Sequence, residues 1–199
     1  MGAPETTPST PSLRERSKAR RRELIRRTAM RLFAERGYDR ATIADIAAEA
    51  EVAPRTVTMY FASKADIAMS LPNEIAGRLV VIFRENPSIG FTDAIDQWLT
   101  AEAEHLDPEL IALTSAMFQA SPGLRSLSSA ELGEAVEAGA PAFGAETGLP
   151  ADHPLGAVIG AAVGAAVGEY LTVVLHAGNR PELHTAFMRT IRATVRSAR

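Results

Sequence analysis

Glycine recurs at positions 156, 160, 164 and 168 within LGAVIGAAVGAAVGEYLTVVLH, residues 155–176. The run is too long for an ordinary strand, and on a helix this spacing clears one slowly drifting stripe of side chains. Each interior glycine costs about 1 kcal/mol of helix propensity relative to alanine, so four of them imply compensation by close packing. The run also has the length of a membrane span, about 20 residues. Its content argues against one: it is mostly Gly and Ala, and Glu169 lies inside it at a cost of several kcal/mol on insertion. The expectation is a packed helix in a protein without a membrane partner. The surface that meets the ridge is either a second copy of the chain or the chain's own core.

The rest of the sequence is helical in period as well, with no run of alternating β-branched residues bounded by hairpin signals. The first helix spans Leu13 to Arg36, with Leu24, Ile25, Thr28, Ala29, Leu32 and Phe33 as its apolar stripe and Gly37 as its left-handed cap. Thr42 caps a short helix from Ile43 to Ala50, and Pro54 opens another to Phe61. Ser63 caps a fourth from Lys64, bent or interrupted near Pro72. Thr92, Asp107, Ser121, Asp152 and Pro181 then mark the starts of five more, ending near His105, Ala120, Thr147, Ala177 and Val195; Pro141 is a possible kink. The fold class is all-α: a three-helix head with a C-terminal bundle, about nine helices in all.

Charge divides the chain. Residues 1–66 hold 13 Lys and Arg against 9 Asp and Glu, and the remainder hold 8 against 15. A basic front on an acidic body points to a polyanionic partner for the N-terminal part. Cysteine is absent, which excludes disulfides, thiolate metal sites and thiol nucleophiles. The histidines at 105, 153, 176 and 184 form no metal-ligand pair, and the sequence offers no phosphate loop or nucleophile–base pair. Neither enzyme activity nor a metal or cofactor is expected. MGAPETTPSTPS has no secretory apolar core and reads as a disordered tail, residues 1–12, of a cytoplasmic protein.

Residues 41–67, ATIADIAAEAEVAPRTVTMYFASKADI, carry the functional signal. Two short helices there can bury Ile43, Ile46, Ala47, Val52 and Val57 in a small core, as a helix-turn-helix does when it lays its second helix in the DNA major groove. Arg55, Thr56, Thr58 and Met59 would reach bases or phosphates; Arg suits guanine and a methyl group suits thymine. Arg55 could read a base or hold a phosphate. Thr42 and Lys64 stand at helix N-termini, where backbone N–H groups help bind phosphate. Arg14, Arg16, Lys18, Arg20, Arg21 and Arg22 precede the motif and can contact phosphates or enter a minor groove.

Residues 18–67 closely resemble the TetR family of bacterial transcriptional regulators, through LFAERGYDRAT, IADIAAEAEV, a recognition helix ending in YF, and SKADI. VAPRTVTMYFASK resembles an actinobacterial branch whose recognition helix opens Pro-Arg-Thr. The resemblance implies phosphate contacts at Thr42, Tyr60 and Lys64. It implies a DNA-binding domain over 13–66 and a dimerisation and ligand-binding domain over 67–199. Three positions depart from the family pattern: Glu51 for a turn Gly, Ala53 for a capping Ser, and Thr58 for an aromatic residue.

The family dimerises through its last two long helices, which implies an interface at Gly156, Gly160, Gly164, Gly168, Phe187 and Ile191. Its bundle encloses an effector pocket. Within DPELIALTSAMFQASPGLRSL the likeness extends to members associated with fatty-acyl-CoA. Helical stripes nominate Trp98, Glu102, Met117, Phe118, Glu169, Tyr170 and Val173 as lining, an apolar set with a few polar groups. For Glu169 the candidates are a ligand, an arginine of a second subunit, or solvent. The expected protein is a homodimeric repressor that binds a palindromic double-stranded operator and releases it on binding a small apolar or amphipathic effector. The alternatives are a DNA-binding dimer without an effector, or a helical protein whose basic arm binds a membrane surface.

Overall fold

The computed structural model describes residues 12–105, 107–124, 133–150, 152–177 and 180–198. All secondary structure among the described residues is helical: α1 (Leu13–Arg36), α2 (Ile43–Glu49), α3 (Pro54–Tyr60), α4 (Lys64–Glu85), α5 (Phe91–His105), α6 (Pro108–Ala120), α7 (Gly133–Thr147), α8 (Pro154–Ala177) and α9 (Pro181–Arg196). The tail up to residue 11, the expected helical stretch over 125–132, and the side chain of His176 lie outside the described residues.

Local chemistry sets most boundaries. Ser12 accepts the Glu15 N–H while the Glu15 carboxylate takes the Ser12 N–H, a reciprocal box that starts α1. Thr42 and Asp45 repeat it at α2. Asp107 accepts from the N–H groups of Glu109 and Leu110 to start α6, with Pro108 in the first turn. Two expected caps move. The Thr92 N–H and hydroxyl both go to the Glu146 carboxylate, so Thr92 ties α5 to α7, and α5 begins at Phe91, two residues before a Thr92 cap would start it. At α8 the cap is the His153 ring, whose Nδ1 accepts the Leu155 N–H at 3.2 Å, rather than Asp152.

Neither interior proline breaks its helix. α4 runs unbroken through Pro72 and α7 through Pro141. A proline removes one ladder bond, but Met69, Ser70, Leu71 and Ile75 around Pro72 are all buried, and tertiary burial outweighs that loss.

In the head, Ile25, Ala29 and Phe33 of α1 pack with Ala41, Ile46, Ala47, Val57, Phe61 and Ile67. Leu24, expected on this stripe, is 50% exposed, and Met30 is buried in its stead. The turn between α2 and α3 holds Glu51 at φ +52°, in left-handed space where a side chain crowds the backbone. Glu51→Gly is therefore expected to stabilise the head by roughly 0.5–1 kcal/mol after the extra unfolded-chain entropy of glycine is set against the relieved strain. A thermal melt raised by about 2 °C would show it.

The body joins the head through α1 and α4. α1 lies along α6, where Arg27 pairs with Asp107 and Glu109. α4 packs on α1, α5 and α7, and its Glu74 accepts from Arg22 and Arg26 of α1 at 2.6 Å each. Burial pushes the Glu74 carboxyl up, and the two guanidiniums outweigh that and hold it below its usual range. α9 is fixed by a polar chain. Tyr170 of α8 meets His184 Nδ1 at 2.9 Å, His184 Nε2 meets Asp96 of α5 at 2.6 Å, and Arg192 donates to the other Asp96 oxygen at 2.6 Å.

Candidate nucleic-acid interface and effector cavity

α3 is short because Pro54 starts it and the extended Phe61 ends it. Its inner side is anchored by Val57, which is fully buried. Arg55, Thr58 and Met59 are exposed on its outer side, and Thr56 and Tyr60 are half-buried at its edges. Met59 is 71% exposed. Arg55 has no ion pair among the described residues. The Thr58 hydroxyl is turned inward onto the Arg55 carbonyl at 3.1 Å, which leaves its methyl group as the outward feature. Ala53 occupies the N-cap without a side-chain hydrogen bond.

The basic arm is helical in its described part, with Arg14, Arg16, Lys18, Arg20 and Arg21 exposed. Arg22 departs from the expected cluster: it pairs with Glu74 and its guanidinium lies 4.7 Å from the centre of the Phe61 ring. It is a joint between α1, α4 and the end of α3, not a free phosphate contact.

Lys64 departs further. Its ammonium donates to the carbonyls of Tyr38 at 2.7 Å, Ala41 at 3.1 Å and Asp39 at 3.4 Å, and sits 4.2 Å from the centre of the Tyr38 ring. An ammonium has three donors, and all three are in use. Lys64 thus locks the start of α4 onto the α1–α2 connection. Lys64→Met is expected to cost about 1–2 kcal/mol of stability, with the loss of DNA affinity following the loss of folded head; a chemical melt beside a binding isotherm separates the two. Thr42 is exposed, but its hydroxyl donates to Asp45 at 2.6 Å, so a phosphate there would first meet the N–H groups of the helix start.

The body holds a cavity of about 320 Å³ between α4, α5, α7 and α8. Leu79 and Phe83 of α4, Phe91, Ile95 and Trp98 of α5, Phe143 of α7, and Val163 and Val167 of α8 form its apolar wall. Phe91 stacks on Phe83 at 6.0 Å and meets Phe143 edge-on at 5.2 Å. Trp98 is 1% exposed and its indole N–H donates to the Ile75 carbonyl of α4 at 3.0 Å.

The glycine ridge belongs to this cavity. Gly156, Gly160 and Gly164 line it, and a Cβ built on Gly156 or Gly160 would stand 3.5 Å from Phe143 or 3.7 Å from Val136. The stripe therefore faces the chain's own α7 along most of its length, with Gly168 exposed and nothing within 4 Å of an added Cβ. Ile191, also expected at an interface between copies, is 3% exposed within its own chain, and Phe187 stacks on Tyr170 at 4.1 Å.

Of the expected lining residues only Trp98 reaches the cavity. Glu102, whose stripe it shares, is 2% exposed and held by Arg78 through two bonds of 2.5 and 2.6 Å. Met117 is fully buried in the core, and Phe118 packs against that core. Tyr170 is taken by His184 and Phe187. Glu169 and Val173 face outward, which answers the question of a buried carboxylate on α8. Glycine spacing could have found the true wall, because a cleared stripe on a helix marks room for a ligand as readily as close packing.

Comparisons with known proteins agree with this geometry. Residues 25–71, which take in the second half of α1, all of α2 and α3 and the start of α4, match the model of bacterial regulatory proteins, tetR family. The HTH-type transcriptional regulator TcmR of Streptomyces glaucescens is 31% identical over 128 residues, 60% of this chain and 57% of that protein; the chain thus spans little more than half the length of this relative. FadR of Bacillus subtilis in complex with stearoyl-CoA has the same fold at TM-score 0.56 and 20% identity, over 89% of this chain and 98% of that one. FadR of Thermus thermophilus with lauroyl-CoA does so at TM-score 0.55 and 18% identity, over 87% and 93%. The head is thus similar to bacterial regulatory proteins of the tetR family over residues 25–71, and the all-helical chain has the fold of the two FadR structures.

Proposed function

We propose that this chain is a homodimeric transcriptional regulator of the cytoplasm, a repressor that holds a palindromic operator and lets go when an apolar or amphipathic effector fills the body. One observation carries the reading: α4 starts inside the DNA-binding head at Lys64 and walls the cavity with Leu79 and Phe83. A single helix of 22 residues, about 33 Å long at 1.5 Å per residue, joins the two sites. Trp98 adds a second handle on it through the Ile75 carbonyl. A ligand that displaces these residues tilts the helix that positions the head, which is a coupling between two sites. The acyl-CoA complexes of the two FadR structures support a bound effector in a bundle of this fold.

The second copy docks on α8, by a face other than the glycine stripe. Leu155, Val158, Ala162, Ala165, Glu169 and Val173 are exposed along one side at spacings of three and four, the pattern of a helix–helix seam. Residues Pro154–Leu171 are long and apolar enough to cross a membrane, and only 22% of that window is buried in the single chain; a partner helix is what covers it. Two recognition helices then lie about one DNA turn apart.

The test is selection from a random DNA pool, followed by sedimentation of the complex. The expected result is an enriched palindrome bound by two copies. A pool that returns no sequence, with binding as tight to bulk DNA, overturns the proposal in favour of an electrostatic contact alone.

A further inference from the structure

The cavity's lip has a definite charge. Glu137 and Asp152 line the cavity and are exposed, so they lie on its solvent-facing side. Neither is ion-paired among the described residues, and among those residues neither Lys nor Arg lines the cavity. The His153 ring beside them spends Nδ1 on capping α8. Behind this lip the wall carries the rings of Phe83, Phe91 and Phe143, Phe91 stacked on Phe83 and edge-on to Phe143. Carboxylates attract positive charge and repel negative charge, and aromatic rings offer a flat apolar surface. The volume of about 320 Å³ is at the small end of ligand pockets, which favours a compact body over a long chain.

We propose that the effector is a compact aromatic cation, its flat body against the phenylalanines and its positive group at the Glu137 and Asp152 carboxylates. This rests on the reading of the cavity as the effector site and narrows it: anionic amphiphiles are the disfavoured class. Because solvent screens the lip, each carboxylate changes affinity by up to about fivefold, and the pair separates a cation from an anion by about tenfold or more.

Three probes share one aromatic body: (2-naphthylmethyl)trimethylammonium, its neutral carbon isostere 2-neopentylnaphthalene, and 2-naphthylacetate. Affinity is read by calorimetry on the full chain. Trp98 is the chain's single tryptophan, so a change in its emission places the probe in the cavity. The expected order is cation, neutral, anion, with about tenfold between the ends. In a Glu137→Gln, Asp152→Asn double variant that gap closes while the neutral probe binds as before. Equal binding of the three probes, or binding of none, overturns the cation preference; a gap that survives in the variant overturns its assignment to Glu137 and Asp152. The effector reading has its own readout: a cation that binds at Trp98 yet leaves the complex with selected DNA intact refutes release by ligand and leaves the charge preference standing.

Discussion

Arg78→Met should lower stability by about 2–3 kcal/mol, while the double variant Arg78→Met, Glu102→Met should lose about 1 kcal/mol or less. Glu102 is 2% exposed and its two oxygens are matched by Nε and Nη2 of Arg78. Removing the guanidinium leaves a carboxylate in the protein with neither counter-charge nor hydrogen bonds. For a wholly buried pair that costs about 3–5 kcal/mol, but the Arg78 side chain is 48% exposed, so water can reach the vacated place and the figure is reduced accordingly. Removing both charges takes away the penalty with the pair, and methionine can fill either space. Urea unfolding of the two single variants and the double completes the cycle. A double variant as unstable as Arg78→Met would mean that packing, not the orphaned charge, decides this site. The pair joins α4 to α5 just beyond Trp98, so the single variant should also loosen the helix that links cavity and head.

The elements were legible because their signals are local. Capping residues, prolines and apolar period give α1 to α3 almost to the residue, and the spacing of LFAERGYDRAT through SKADI is enough to place the head. The cavity wall was not legible, for a physical reason. Trp98, Glu102 and Tyr170 have the composition of a lining, but composition does not say which polar group already has a partner: Arg78 lies 24 residues from Glu102, and His184 lies 14 from Tyr170. Lys64 is the same case in the head. A lysine at a helix start matches a phosphate contact by type and place, and only three carbonyls from the preceding connection show that its charge is already engaged. The glycine ridge is legible as a cleared stripe on one helix, but its expected partner, a second copy of the chain, is not what Gly156 and Gly160 meet within the chain. Whether α7 or a second chain lies opposite depends on how the bundle closes, and the stripe alone is compatible with both.

Arg55→Ala is expected to abolish discrimination between the selected palindrome and random DNA while leaving the fold unchanged. Arg55 is exposed and unpaired among the described residues, so its removal should move stability by no more than about 0.5 kcal/mol. On DNA the effect is large. A bidentate contact to guanine is worth about 1–3 kcal/mol, and a symmetric dimer makes it twice, so specific affinity should fall by roughly 2–6 kcal/mol. Random DNA offers no such contact and should bind nearly as before, through Arg14, Arg16, Lys18, Arg20 and Arg21. The competing role has a distinct signature. If Arg55 holds a phosphate, both DNAs weaken together and the slope of log K against log salt shrinks by about 0.9 for each copy. Titrations of both DNAs at three salt concentrations distinguish the roles. A uniform loss with a shallower slope would transfer base reading to Met59 and the Thr58 methyl group, the remaining outward features of α3, and would predict an operator rich in thymine rather than guanine at the positions they reach.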